Sequence, residues 1–470
     1  MKVLVLEGST ASAKAMLYDS EQGILRTEGK TYPAEVCDIV TQDADGMVAA
    51  ILEAGRAAAA GEEIAAVALS GIWHSYLVCD GAMRPKTRVQ TWAYLGAADQ
   101  AAEIRKDAAL KERIYQKTGC AVHAMYPLYK AMRLRDEGQI AAGDRYLGQG
   151  DYLFYRLTGE FLTSDCLASG SGLLNLKERE YDAELLELCG LSREQLPAVG
   201  SFESTASLSA EAAKALGLPA GIPVVPCHSD GAMNQVGAGA LKKGVMTFSV
   251  GTSAAIRLTV DHPVTPENGG TWCYIAPGKY LSGAATQGST NCVDWFMKTV
   301  LKTDRKYSEL ENAAKYVLDN PYFLPFLFGE RCPGWQDGRR GGFYQLAGSH
   351  DECDLFYAIL EGVLFNVYHC FDILQKNAYR PDVIKVSGGV LKSPMWSKML
   401  VDIWQQPITA ASNEQASMLG GAALALHAAG ALPNIEEFGD RSERVIEPDP
   451  AMADYYKTRF TKYLELYCNK

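Results

Sequence analysis

The chain has 470 residues, 48% hydrophobic and 21% charged, with a formal net charge of −11 at pH 7. That length exceeds one ordinary hydrophobic core, so two large domains are expected, and an acidic chain without a basic block argues against a nucleic-acid partner. No apolar run reaches the ~20 residues of a membrane helix, and the apolar part of MKVLVLEGST is too short for a secretory leader.

The twelve cysteines run from Cys37 to Cys468 without a C-x-x-C pair or a histidine at zinc-like spacing. Buried free thiols in a reducing cytoplasm are the expectation.

Residues 2–19, KVLVLEGSTASAKAMLYD, read as two apolar strands around a polar turn. IAAVALSG (64–71) reads as a buried strand, and SYLVCD (75–80) as the next. Trp73 and His74 lie between them and Trp92 follows in a loop. Aromatic rings with a histidine suit a sugar pocket, and suit a core or rim equally well. QAAEIRKDAALKERIYQKTG (100–119) reads as one helix stopped by Gly119, and GDYLFYRLTGE (150–160) carries a similar glycine stop.

Residues 204–230 pass from an Ala-rich helix through Gly-Leu-Pro into the strand PVVPC, which delivers Asp230 to the start of a Gly/Ala-rich helix. A carboxylate there should stay ionised at neutral pH. It reads as a general base at a strand end, where α/β active sites gather, or else Ser229 or Asp230 is a plain helix cap. His228 is a weaker alternative base. The domain boundary is placed near residue 241, giving domains of residues 1–241 and 242–470.

VMTFSVGTSAAIRLTVD (245–261) repeats the shape of the opening hairpin, which suggests a duplication. An offset of 243 sets Gly8 on Gly251 and Lys14 on Arg257, whereas 242 sets Thr10 on Thr252, and both registers stay open. PFLFGERCPGWQDGRRGGFYQL (325–346) is a charged loop whose Arg331, Arg339 and Arg340 either meet phosphate or face solvent. The next segment, 350–374, has the apolar periodicity of a core helix. In IKVSGGVLKSPMWSKMLVDIW (384–404) a strand ends at Gly388-Gly389, and Ser393 with Pro394 opens a helix. A glycine pair lets backbone approach a flat or anionic ligand. Strands alternating with helices predict an α/β protein, with an antiparallel hairpin added to a parallel sheet in each half.

HSDGAMNQVGAGALKKG (228–244), FSVGTS (248–253), VSGGVLKSPMWSKMLVDIWQQPI (386–408) and EQASMLGGAALAL (414–426) together resemble the FGGY family of carbohydrate kinases, in order and spacing. The likeness covers essentially the whole chain. MYPLYKAMRL, DYLFYRLTGEFLTSDCLASGSGLLNL and GERCPGWQDGRRGGFYQL are similar to the gluconokinase branch. The resemblance implies two duplicated actin-like (ribonuclease H-like) ATPase domains around a central cleft, with ATP and Mg²⁺ as cofactors. It implies that Thr10, Ser12 and Lys14 line one phosphate loop and Gly251, Thr252 and Ser253 the other. Gly288, Gly388, Gly389 and Ser393 would complete the ATP site. Asp230 would be the catalytic base, Trp73, His74, Trp92, Asp230 and Gly231 would bind substrate, and Glu7 would lie near the metal. The partner implied is a small sugar or sugar acid, in the cytoplasm, and a homodimer is one assembly consistent with it.

Three departures from the family pattern stand out. Glu7-Gly8-Ser9-Thr10 replaces Asp-x-Gly-Thr, so the acidic oxygens shift and Ser9 stands where glycine lets backbone near phosphate. Trp92-Ala93-Tyr94-Leu95-Gly96 replaces Trp-Ala-Asp-x-Arg, and Trp73 replaces Met. Trp73 and Tyr94 are expected to add aromatic surface to the pocket. These changes leave D-gluconate or a close sugar acid in competition with a neutral ketose or polyol. An actin-like ATPase of the chaperone type would need a peptide-binding domain for which no residues remain. A sugar-sensing pseudokinase has only Glu7 and Ser9 in its favour, with Asp230 intact against it.

Overall fold

The structure, a computed structural model, describes residues 1–311, 318–411, 415–439 and 443–469. Glu414, at the head of one family-like motif, lies outside them. Two large sheets organise the chain. The first is built from β1 (Lys2–Gly8), β2 (Ser12–Asp19), β3 (Gly23–Thr31), β4 (Val67–Gly71), β5 (Ala206–Ser207) and β6 (Pro223–Ser229), in the order β5-β6-β4-β1-β2-β3. The second uses β7 (Val245–Val250), β8 (Ala254–Val260), β9 (Trp272–Ala276), β10 (Lys279–Thr286), β11 (Val383–Gly388), β12 (Ile408–Ala411) and β13 (Glu443–Ile446), in the order β9-β10-β8-β7-β11-β12-β13.

The two orders are the same plan. In each, an opening hairpin (β1-β2, β7-β8) pairs antiparallel, its first strand runs parallel to β4 or β11, and β6 or β12 extends the parallel part. A last antiparallel strand, β5 or β13, closes that edge. Strands buried on both faces by helices read as unbroken apolar runs, and Val3, Leu4, Val5 and Leu6 of β1 are fully buried.

The hairpins differ in one respect. Gly8 pairs with Ala13 across four loop residues, whereas Val250 pairs with Ala254 across three. No single offset therefore holds on both strands, and neither register read from the sequence is right throughout. Lys14 stands opposite Glu7, next to the closing pair, while Arg257 stands opposite Thr247, deeper in the ladder.

The helix expected over 100–119 is two helices, Ala98–Lys106 and α1 (Ala108–Thr118). Asp107 separates them because its carboxylate caps the second, accepting from the Leu110 N–H at 2.9 Å. Gly119 ends α1 with φ 66°, as its position predicted. α2 (Pro127–Asp136) and α3 (Asp230–Gly237) complete the first half of the chain as far as the site requires.

In the second half, α4 (Glu352–Asn377) is long and apolar enough to cross a membrane, but 78% of its most apolar window is buried inside the protein. Its Glu361 is fully buried against Arg459, at 2.6 Å. α5 (Pro394–Trp404) and α6 (Ala416–Ala428) follow. α6 packs on α3 and on β1 of the first sheet. The α3–α6 crossing is backbone against backbone: a Cβ on Gly237 would lie 1.9 Å from the Ala416 carbonyl oxygen, and one on Gly420 2.0 Å from that of Met233. All twelve cysteines are free thiols, ten of them buried.

Candidate active site

A cavity of about 210 Å³ takes Trp73, His74, Trp92 and Asp230 from the first half of the chain and Ser253, Arg257, Trp272, Tyr274 and Arg331 from the second. Asp230 reaches it because the residue before it does the capping. The Ser229 hydroxyl accepts from the Ala232 N–H at 3.1 Å, which leaves the Asp230 side chain at the first helical position. The carboxylate is half-buried and, among the described residues, accepts only from its neighbour, Gly231 N–H, at 2.6 Å.

Burial and the nearby Glu7 carboxylate push the Asp230 pKa up to about 6, against Arg257, the Gly231 N–H and Lys14, which pull it down. The group is thus ionised at neutral pH, as expected, but the helix end does not hold it low. Desolvation outweighs the dipole here. His228 is no base for this cavity. Its ring is fully buried outside the lining, with Nδ1 2.9 Å from the Pro226 carbonyl, and burial lowers its pKa to about 4.

Two guanidiniums face the cavity. Arg257 donates from Nη1 to the Ser249 hydroxyl at 3.1 Å, and its Nε is buried without a partner among the described residues. The Arg331 Nε is likewise buried without a partner. Burial and Arg331 lower the Arg257 pKa while Asp230 raises it. Arg331 is therefore a cavity residue and not part of a solvated loop face. With two cations and one carboxylate the lining favours an anion.

The wall is aromatic. Trp272 and Tyr274 stack at 4.4 Å with planes 8° apart, and Trp73 lies 4.8 Å from Tyr274. The Trp73 indole donates to the Cys166 carbonyl at 2.9 Å. Gly231 makes room for it, since a Cβ there would lie 2.6 Å from Trp73 Cζ3. His74 sits at φ 65° with Nδ1 2.6 Å from the Gly170 carbonyl, so that nitrogen carries the proton and Nε2 is an acceptor. Burial holds its pKa well below the usual value, so the ring is neutral. Buried Lys130 of α2 ties this loop to the next, donating to the carbonyls of His74 (2.7 Å), Thr91 (2.8 Å) and Gln90 (3.3 Å). Tyr94 does not reach the cavity. Its hydroxyl accepts from Arg133 and its ring lies beside Lys130 and Arg133.

At the first hairpin Glu7 is buried, with Lys14 Nζ at 3.2 Å from one oxygen and the Ser70 hydroxyl at 3.1 Å from the other. The Ser9 hydroxyl stands 2.9 Å from that of Ser12 and closes the turn. Thr10 Oγ1 accepts from the Trp92 indole at 3.0 Å. Glu7 is near enough to Asp230 for its charge to raise the Asp230 pKa, and no group of three His, Cys, Asp or Glu occurs among the described residues. Such a sparse set fits Mg²⁺, which takes one or two carboxylates and otherwise phosphate and water.

At the second hairpin Gly251, Thr252 and Ser253 are exposed, and Thr290 fastens the Gly251 carbonyl through its N–H (3.1 Å) and hydroxyl (2.8 Å). Gly388, at φ 94°, pairs with Val250, and a Cβ there would lie 2.1 Å from the Val250 oxygen. Gly389 lies beside Thr290. Gly288 is buried against Pro325, whose oxygen a Cβ would meet at 2.1 Å. Ser393 caps α5, accepting from the Trp396 N–H at 2.9 Å. Sequence reasoning missed Arg257, Trp272 and Tyr274 as cavity residues. The last two stand at i and i+2 on β9 and so share a face, a signal that was there to read.

Comparison with known proteins agrees with this geometry. The description "FGGY family of carbohydrate kinases, N-terminal domain" matches residues 3–237, and the corresponding C-terminal domain matches residues 246–429. The gluconokinase of Bacillus subtilis (strain 168) is 29% identical over 467 residues, covering 93% of this chain and 90% of its own. A gluconate kinase from Lactobacillus acidophilus superposes with a TM-score of 0.93 at 28% identity, covering 99% and 98% of the two chains. A ligand-bound xylulose kinase from the same organism gives 0.94 at 28% identity, covering 99% and 97%. Two sheets of one plan, a shared cavity and both family domains lead to one conclusion: the chain belongs to the FGGY family of carbohydrate kinases, phosphotransferases of the duplicated actin-like fold.

Proposed function

We propose that this kinase transfers the γ-phosphoryl group of ATP to a hydroxyl of a small sugar acid, with D-gluconate the favoured substrate and Asp230 the general base. The observation that carries the sugar-acid reading is the pair of arginines, Arg257 and Arg331, each with a buried, unpartnered Nε on the cavity lining. Arg331 takes the substrate carboxylate, since a planar fork suits it. The aromatic wall takes the C–H face of the chain, and neutral His74 accepts from a hydroxyl at Nε2. Asp230, titrating near 6, accepts the proton of the attacking hydroxyl as its oxygen bonds to the γ-phosphorus and ADP leaves.

The hairpin loops with Thr10, Ser12 and Lys14, and with Gly251, Thr252 and Ser253, hold the phosphates from opposite sides. Gly288, Gly388, Gly389 and Ser393 form the nucleoside end. Glu7 would lie in the shell of Mg²⁺, which when bound neutralises charge on the phosphate oxygens. Residues 1–241 and 242–470 are the two domains that close on the substrates, and a cytoplasmic location, where ATP and free thiols coexist, fits this reading.

The stacked Trp272–Tyr274 wall supports a second reading, a neutral ketose or polyol. The test is kcat/KM over gluconate, other aldonates, xylulose, ribulose, glycerol and erythritol. The sugar acid is expected to lead by at least about tenfold, or ~1.4 kcal/mol. A neutral substrate leading by that margin overturns the sugar-acid assignment and leaves the family intact.

A further inference from the structure

A groove of about 830 Å³ lies apart from the catalytic cavity, and no residue lines both. One wall is α1, which presents Lys111 and Tyr115 one turn apart. The other is the segment that carries Trp335, Arg340 and Tyr344.

The lining holds four cations and two carboxylates in a protein whose net charge is −11. Both carboxylates are already engaged. Glu112 accepts from Gln116 at 2.7 Å, and Asp337 lies 2.6 Å from His123 Nε2 and 3.7 Å from Arg105. Among the cations Arg339 is paired with Glu330 at 3.0 Å. The Lys111 ammonium makes no hydrogen bond or ion pair with the described residues, and among them the Arg340 guanidinium donates only to the main-chain carbonyls of Asp337 (3.2 Å) and Arg339 (3.1 Å). Two cations thus stand uncompensated beside the aromatic rings of Tyr115, Trp335 and Tyr344. Cations for phosphate and ring faces for C–H groups are the elements of a site for a phosphorylated sugar.

We propose that this groove binds a small phosphorylated sugar-type anion and that its occupancy is felt at Arg331. The link is one turn of chain. The Trp335 N–H donates to the carbonyl of Arg331, so the residue that lines the groove is bonded to the residue whose guanidinium lines the catalytic cavity. His123 and Arg105, on Asp337, anchor the same segment to the first half of the chain. A ligand that shifts Trp335 therefore shifts Arg331. This coupling rests on the role given to Arg331 above, whereas binding does not.

Gluconate 6-phosphate, with inorganic phosphate as a size control, is titrated calorimetrically into the full chain and into the Lys111→Glu/Arg340→Glu double variant. Both positions are exposed, so the fold is retained, and basal kcat and KM should be unchanged. The expected result is saturable binding of gluconate 6-phosphate that weakens at least about tenfold in the double variant, as loss of charge-assisted bonds predicts. No saturable binding, or equal affinity in the variant, overturns the site. The sugar KM, measured with whichever sugar turns over, should respond to gluconate 6-phosphate more strongly in the wild type than in the variant, where only competition at the catalytic cavity remains. A KM indifferent to a filled groove overturns the link to Arg331. Gluconate 6-phosphate would also enter the catalytic cavity as the product of the proposed reaction, so only the binding component lost in the double variant, which leaves that cavity untouched, belongs to the groove, and that component does not depend on which sugar is phosphorylated.

Discussion

The Trp92 indole donates to the Thr10 hydroxyl at 3.0 Å, joining a residue of the Asp230 cavity to the turn of the first hairpin. A side chain proposed for substrate thereby fixes a side chain proposed for nucleotide, and the two sites should not vary independently.

Trp92→Phe keeps the ring and removes that bond. Its KM values for ATP and sugar should both rise, each by roughly threefold to tenfold, the worth of one neutral hydrogen bond. Thr10→Val should do the same, and the double variant should be little worse than either single one, because both remove the same interaction. Additive losses would show that the bond does not couple the sites.

Asp230→Asn preserves shape and removes the base, so turnover should fall roughly 10²- to 10⁴-fold while ATP still binds. In the wild type, activity should drop as pH falls through about 6, where the carboxylate takes up its proton. The stability effect has the opposite sign. A carboxyl whose folded pKa is raised stabilises the native state below its unfolded value and loses that contribution as pH rises through the folded one. Asp230→Asn should therefore raise Tm at pH 7 relative to wild type, and the gain should vanish near pH 4. Near-normal turnover, or a Tm difference independent of pH, would refute the assignment.

Arg331→Met retains bulk in the loop and removes the guanidinium. The sugar-acid KM should rise roughly 10- to 100-fold, the range for a hydrogen bond to a charged group, while neutral substrates change little. Equal losses on acids and neutral sugars would make Arg331 a structural residue.

Gly231→Ala places a methyl 2.6 Å from Trp73 Cζ3 and forces the indole aside. Overpacking of this kind costs ~1–3 kcal/mol. The sugar KM should rise more than the ATP KM, and Trp73→Leu in the same chain should restore part of the lost stability. A rise in the ATP KM alone would place Gly231 in nucleotide binding only.

Much of this was legible because its signals are local. Ser229 before Asp230, Ser393-Pro394 at a helix start and Gly119 at a helix end are decided within a few residues, and the sequence carries them openly. The same logic shows why the helix over 100–119 was drawn too long: Asp107 is a cap inside an otherwise helical run, and its carboxylate wins locally. Arg331, Arg257 and Tyr274 were not legible as a group. They sit on three separate stretches that only the strand order of the second sheet and the loop before α4 bring to one cavity, and nothing near them in sequence records that meeting. Tyr94 misled for the converse reason. It neighbours Trp92 in the chain, but Arg133 on α2 draws its hydroxyl away.

The contact of α3 with α6 has a mechanical consequence. Where Gly237 meets Ala416 and Gly420 meets Met233 there are no side chains to interlock. Most helix pairs mesh like gears, and turning one against the other means lifting ridges out of grooves. At these two points backbone meets backbone, so there the crossing resists turning less than meshed ridges would. Asp230 begins one of the two helices, about two turns before Gly237, so a rotation of one half of the molecule against the other about this crossing would carry its carboxylate less far than a group remote from the crossing.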